Sequence, residues 1–355
     1  MSDKAVSNSA TASELARACR TGDLRALAKL ISLLESDEPS ESTAASDAVA
    51  GFDYPSHVIG ISGPPGAGKS TLIAYLAELA LQSRLTPNPS PGRGEGNRVA
   101  ILAVDPSSPF TGGALLGDRI RMAALRNEPN VFIRSMGSRG AAGGLTAAAS
   151  SALRALGAAG FDMVLLETIG AGQAETEIIN LAHTVCVIQV PGFGDEVQLM
   201  KMGILEAADV FAVNKSDMPD AADVKARLEM AIAEHPGSAC RVLKQLGRAF
   251  SARFASTPWT PPVVLMSALK HENGPALLEA LVGHRAWLDQ PELREAMRQH
   301  RARREILARA ESLMRREAAS LMDSDALNAL TDSFLAGKIS LDDAGKTVLK
   351  QVLPK

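Results

Sequence analysis

The run Gly63-Pro64-Pro65-Gly66-Ala67-Gly68-Lys69-Ser70-Thr71 holds the residue types that grip a polyphosphate. Its spacing is G-x-x-x-x-G-K-[ST]. The glycines let backbone N–H groups turn inward and form an anion nest at a helix N-terminus. Lys69 is placed to reach the β- and γ-phosphates, and the Ser70 hydroxyl to bind Mg2+. The apolar run 58–62 precedes the loop, and a helical pattern through Leu72, Leu76, Leu79 and Ala80 follows it. Strand, loop, helix is the context this motif requires.

Phosphate binding does not choose the base. Asn214-Lys215-Ser216-Asp217 directly follows an apolar run and has the N-K-x-D spacing of a guanine reader. The Asp217 carboxylate can accept hydrogen bonds from the ring N–H and 2-amino group of guanine. Adenine offers neither donor, so ATP would leave that carboxylate unpaired and desolvated. Ser267-Ala268-Leu269 follows another apolar run and fits a second base loop, whose backbone N–H meets the guanine carbonyl oxygen. GTP with Mg2+ is therefore the expected ligand pair.

Strand-end carboxylates supply the expected metal side. Glu167 ends an apolar run, and Gly170 follows within reach to offer its N–H to a γ-phosphate. Gln173, in the stretch after Gly170, can orient a water or simply face solvent. Asp105 ends a further apolar run, and Asp118 lies beyond it in the same connection. Either can contact Mg2+, hold its waters or place the attacking water; a helix or turn cap is the alternative for both. Pro191-Gly192-Phe193-Gly194-Asp195-Glu196, with Lys201 beyond, reads as a responsive loop or as a plain strand-to-helix connection.

These residues need strands to carry them. Apolar runs at 58–62, 98–104, 130–135, 162–167, 184–190, 209–214 and 263–267 are near-continuous, as strands buried on both faces are. Helical patterns separate most of them. The expected fold class is α/β, a doubly wound and mostly parallel sheet with helical extensions at each end. Residues 1–50 read as an N-terminal extension, with helix over 14–34 restarting at Thr21-Gly22-Asp23 and a polar linker over 35–48. Residues 51–288 read as the P-loop domain, with a flexible Pro/Gly insertion at 86–97. Residues 289–355 read as two or three helices, with Ser340 and Asp343 forming an N-cap.

Composition removes other classes. The 355 residues are 46% apolar and 22% charged, with a net charge of −3 and 4% aromatics. That gives no basic field or stacking platform for nucleic acid. No apolar run approaches the roughly 20 residues of a membrane span. The three cysteines are far apart, which excludes a CxxC metal or redox motif. A cytoplasmic protein is expected.

Taken together, the sequence resembles the MeaB/ArgK family of P-loop GTPases in the SIMIBI class. The resemblance rests on 63–71, 105–113, 117–122, 167–175, 191–196 with 201–209, 214–217 and 267–270, and spans about 14–345. It implies a chaperone of adenosylcobalamin-dependent methylmalonyl-CoA mutase and a homodimer built partly by the C-terminal helices. It also implies that Asp105, Asp118 and Glu167 serve Mg2+ and hydrolysis, and that 192–201 is a partner-responsive switch. The insertion at 86–97 and the glycine-rich 136–144 depart from the family pattern. Two other functions remain in view: a metallochaperone GTPase and an ATP-dependent kinase linked to amino-acid transport.

Overall fold

All seven expected apolar runs are strands, within two residues of their expected ends. The computed structural model describes residues 3–36, 38–83, 97–105, 125, 128–137, 142–168, 181–192, 204–234, 240–247, 254, 258–321 and 324–352. Its strands are β1 (His57–Ser62), β2 (Val99–Asp105), β3 (Val131–Gly137), β4 (Met163–Thr168), β5 (Thr184–Gln189), β6 (Val210–Val213) and β7 (Val263–Leu265). They form one 7-stranded sheet in the order β3-β2-β4-β1-β5-β6-β7. Every pairing is parallel. β1 is central, so the loop leaving its carboxyl end opens where the strand order reverses, the usual ligand crevice of such sheets.

Alternate strand residues feed two cores. On one face Ile59, Ile61, Cys186 and Ile188 pack with Leu72, Ile73 and Leu76 of α4 (Lys69–Gln82) and Leu277 and Leu281 of α8 (Gly274–Leu288). On the other face Val58, Leu102, Val164 and Phe211 pack with α5 (Ala142–Ala158), α6 (Ala221–Glu234) and the N-terminal helices. Those N-terminal helices are α1 (Asp3–Arg20), α2 (Leu24–Leu34) and α3 (Pro39–Val49).

Two expectations change here. Helix begins at Asp3 rather than near residue 14. The stretch expected as a polar linker holds α3, with Pro39 in its first turn and Ser42, Ala45 and Val49 buried. Its small residues permit close packing on α1, so the helix gains tertiary contacts that its polar composition conceals. The restart between α1 and α2 is as expected. Gly22 turns the chain at φ +88, and Asp23 Oδ1 accepts from the N–H groups of Arg25 (2.8 Å) and Ala26 (3.0 Å).

The described chain divides into units 1–301 and 302–355. The first unit runs past the expected boundary at 288, because Leu293 and Met297 pack with Leu288, Val242 and Leu243. Here α7 is Arg241–Leu246 and α9 is Pro291–Ser320. In the second unit α10 (Asp325–Leu335) and α11 (Leu341–Val352) contact one another, and neither holds a buried residue. Ser340 caps α11 as expected, accepting from the Asp343 N–H at 3.1 Å. Residues 84–96 lie outside the described residues. Asn97, expected to close the flexible insertion, is buried, and its amide donates to the carbonyls of Ala80 (2.7 Å) and Ser83. Among the described residues no helix is long and apolar enough to cross a membrane.

Candidate nucleotide site

The loop 63–68 links the carboxyl end of β1 to the N-terminus of α4. Gly63 has φ +149, and a Cβ there would stand 2.7 Å from the Ile188 carbonyl oxygen of β5. Gly68 has φ +89, and a Cβ would meet the Asn214 amide nitrogen at 2.6 Å. Only glycine fits both the backbone angle and the space. Lys69 Nζ reaches back over the loop and donates to the carbonyls of Gly63 (2.8 Å) and Pro64 (3.3 Å). Pro65, Gly66 and Ala67 complete the turn, with the Ala67 N–H bonded to Pro64 O at 3.2 Å. Thr71 lies in the first turn of α4.

Ser70 and Glu167 come together although they are 97 residues apart in sequence. The Ser70 hydroxyl donates to Glu167 Oε1 at 2.9 Å. Ser70 is 7% exposed and Glu167 2%. Glu167 lies on β4 in register with Ile61 of β1, which places its carboxylate beside the phosphate loop. Asp105 closes β2 in register with Gly137 of β3. Its side chain, with Asp118, Gly170, Gln173 and the loop 193–201, lies outside the described residues.

The base loops are tied to the phosphate loop by Asn214. Its Nδ2 donates to Ala67 O at 2.8 Å, and its Oδ1 accepts from the Ala268 N–H at 2.9 Å. The Ala268 N–H thus meets the Asn214 side chain, and the neighbouring Leu269 is 83% exposed. Lys215 turns the chain at φ 63, and the Ser216 N–H bonds to Met266 O at 2.9 Å. Asp217 is then exposed. Its carboxyl is held below the ordinary range, first by its own backbone N–H and further by Lys270 and Ser267. Lys270 Nζ is 3.4 Å from Asp217 Oδ2, and Ser267 Oγ is 3.5 Å from Oδ1. The group is therefore anionic and ready to accept.

Sequence reasoning missed the residues behind this loop. Tyr75 of α4 stacks on His271 with ring centroids 4.3 Å apart, and its hydroxyl donates to His271 O at 2.8 Å. Glu272 exchanges backbone hydrogen bonds with Ser267 and accepts from Ser216 Oγ at 3.0 Å. A tyrosine within a buried aliphatic helix face was the available signal, since its hydroxyl needs a partner.

A family model described as methylmalonyl Co-A mutase-associated GTPase MeaB matches residues 27–322. A Pyrococcus horikoshii protein named "Putative GTPase" is 39% identical over 277 residues, 78% of each chain. The GTPase ArgK of Escherichia coli is 34% identical over 279 residues, 78% of this chain and 76% of that one. A solved structure of LAO/AO transport system kinase superposes with TM-score 0.60 at 23% identity, covering 97% of this chain and 98% of that one, a likeness of fold.

Proposed function

We propose that this chain, which belongs to the MeaB family and is a GTPase, uses GTP binding and hydrolysis to control its grip on an adenosylcobalamin-dependent acyl-CoA mutase. Methylmalonyl-CoA mutase is the first candidate client, with cofactor loading and protection of the mutase as the outcome. The observation that carries this reading is the family match over 27–322, whose description names that mutase.

The described geometry supports part of this assignment, and the family resemblance supplies the rest. The amides of 63–71 and the Lys69 ammonium take the phosphates. Asn214 holds the phosphate and base loops in one frame, and Asp217 with the Leu269 N–H reads guanine. The Ser70 hydroxyl and Glu167 carboxylate are adjacent oxygen ligands, buried and of opposite hydrogen-bonding role. That pair suits a hard cation such as Mg2+. When bound, Mg2+ would neutralise charge that builds on the phosphate oxygens. Glu167 would hold the ion from β4, and Ser70 from the first turn of α4. The family resemblance gives Asp105 and Asp118 to Mg2+ and hydrolysis; one of Asp105, Asp118 and Gln173 would place the attacking water, and the Gly170 N–H would meet the γ-phosphate. The catalytic contribution is positioning and charge stabilisation.

The family resemblance adds a homodimer through the C-terminal helices. The exposure of Phe334, Leu335, Leu341 and Leu349 supports it. A cytoplasmic setting is supported by three free, buried cysteines, Cys19, Cys186 and Cys240.

The test is Mg2+-dependent GTP hydrolysis with and without the purified cobalamin mutase of the same organism. Stimulation by the mutase is expected. GTP hydrolysis that no cobalamin mutase changes would overturn the client assignment.

A further inference from the structure

Tyr75 sits on the phosphate-binding helix, six positions after Lys69, yet its side chain ends in the base loop. Three observations tie the two. Its hydroxyl donates to His271 O at 2.8 Å, across 196 residues of sequence. Its ring stacks on the His271 imidazole at 4.3 Å and 21°. Gly274, at the start of α8, has no space for a side chain. A Cβ there would stand 2.6 Å from the Tyr75 hydroxyl and closer still to ring carbons.

The loop between Ser267 and Gly274 is also conformationally demanding. His271 and Asn273 both adopt left-handed backbone, at φ 55 and φ 56. Such residues cost energy unless their surroundings fix them. Asn273 Nδ2 bonds to Leu265 O at 2.9 Å, and Ser267 and Glu272 pair as an antiparallel bridge. Among the described residues, Tyr75 fixes this loop to α4, the helix that follows the phosphate loop. Asn214 ties Ala268 to Ala67 of the phosphate loop, and Ser216 ties Glu272 to the other base loop.

We propose that Tyr75 is a positioning residue for guanine specificity, setting the distance between the phosphate-binding helix and the loop that presents the Leu269 N–H and Lys270 to the base. This rests on the reading of 214–217 and 267–269 as guanine loops. Phosphate contacts do not pass through Tyr75, so its loss should weaken recognition of the base and leave the phosphates held. An adenine nucleotide, which gains nothing from a correctly placed guanine loop, should be indifferent.

The experiment measures GDP and ADP affinity, and kcat and KM for GTP, in Tyr75→Phe and in His271→Asn. Phe keeps the ring volume, and Asn tolerates φ 55 while removing the stacked ring. Losing one hydrogen bond of ordinary strength predicts a GDP-over-ADP preference reduced about fivefold. KM for GTP should rise by a similar factor, with kcat unchanged. Equal weakening of GDP and ADP, or a lower melting temperature with the preference intact, would make Tyr75 a structural residue and overturn the proposal. Asp217→Asn, assayed with XTP against GTP, separates the two layers. If that variant fails to move preference toward XTP, the guanine-loop reading fails and this inference falls with it. If it moves preference and Tyr75→Phe does not, only this inference fails.

Discussion

Asn214 illustrates how one side chain can make three loops a single site. Its amide spends both ends on backbone, on Ala67 O and on the Ala268 N–H, and it lies against Gly68. Asn214→Ala would leave a buried carbonyl and a buried N–H unpaired. That should cost about 2 kcal/mol of stability and weaken GDP binding, both measurable by urea unfolding with and without nucleotide. A variant with wild-type stability would mean the brace carries no energy. Ser70→Ala removes the hydroxyl that meets Glu167 at 2.9 Å. Its Mg2+-dependent turnover should fall on the order of a hundredfold while nucleotide binding without Mg2+ persists. Equal loss with and without Mg2+ would move Ser70 from a metal role to a loop-folding role.

At the scale of elements, the N-terminal helices do more than extend the chain. Glu35, the C-cap of α2, accepts from Arg134 Nη2 at 2.6 Å and from the Gly137 N–H at 3.2 Å. Gly137 is the register partner of Asp105, so this carboxylate pins the strand end beside an expected functional aspartate. Glu35 is nearly buried, and its hydrogen bonds are charge-assisted. Glu35→Ala should lose about 1–3 kcal/mol, and Glu35→Gln should recover part of it by still accepting from Gly137. Calorimetric melting of the two variants checks the order; identical melting would mean the contact to Gly137 contributes nothing.

At the scale of the whole molecule, the edge of the sheet opposite the nucleotide loops is a buried polar network. His57 Nε2 is 2.8 Å from Thr184 Oγ1, which is 2.9 Å from His284 Nδ1. His284 Nε2 faces Asp209 Oδ1 at 3.5 Å, and Asp209 Oδ2 accepts from Arg241 and from the Val185 N–H. The His183 Nδ1 accepts from the Val58 N–H at 2.9 Å. Burial pushes all three histidines down and nearby arginines add to it, Arg285 at each, Arg241 at His183 and His284, and Arg301 at His183; at His284, which lands at about 4, the Asp209 carboxylate pulls the other way. The folded protein thus keeps them neutral while the unfolded chain protonates near its ordinary value of 6.5. Above that pH neither state gains a proton and stability is full. As pH falls from 6.5 toward 4, only the unfolded state binds protons. Stability should then drop by about 1.4 kcal/mol per pH unit for each histidine inside its window. Urea midpoints at pH 7.5, 6 and 5 read this slope, and a flat profile would refute neutral burial. In the C-terminal unit, Leu335 is 76% exposed and Leu349 48%. Combining Leu335→Glu with Leu349→Glu should turn a dimer into a monomer by light scattering. A parent protein that is already monomeric would remove the proposed dimer.

The seven strands and the turns at 63–68, 214–217 and 267–270 are legible in the amino-acid pattern. A strand buried on both faces must be apolar throughout, and the phosphate and base motifs carry their spacing within a few neighbouring residues. Tertiary packing alone settles which distant side chains meet. Ser70 with Glu167, Tyr75 with His271 and His57 with His284 each join separate elements, and no local pattern encodes such pairs. It also decided that the polar stretch 39–49 is a helix. Serine and aspartate favour caps and turns over helix interiors, so α3 depends on the small face it packs against α1.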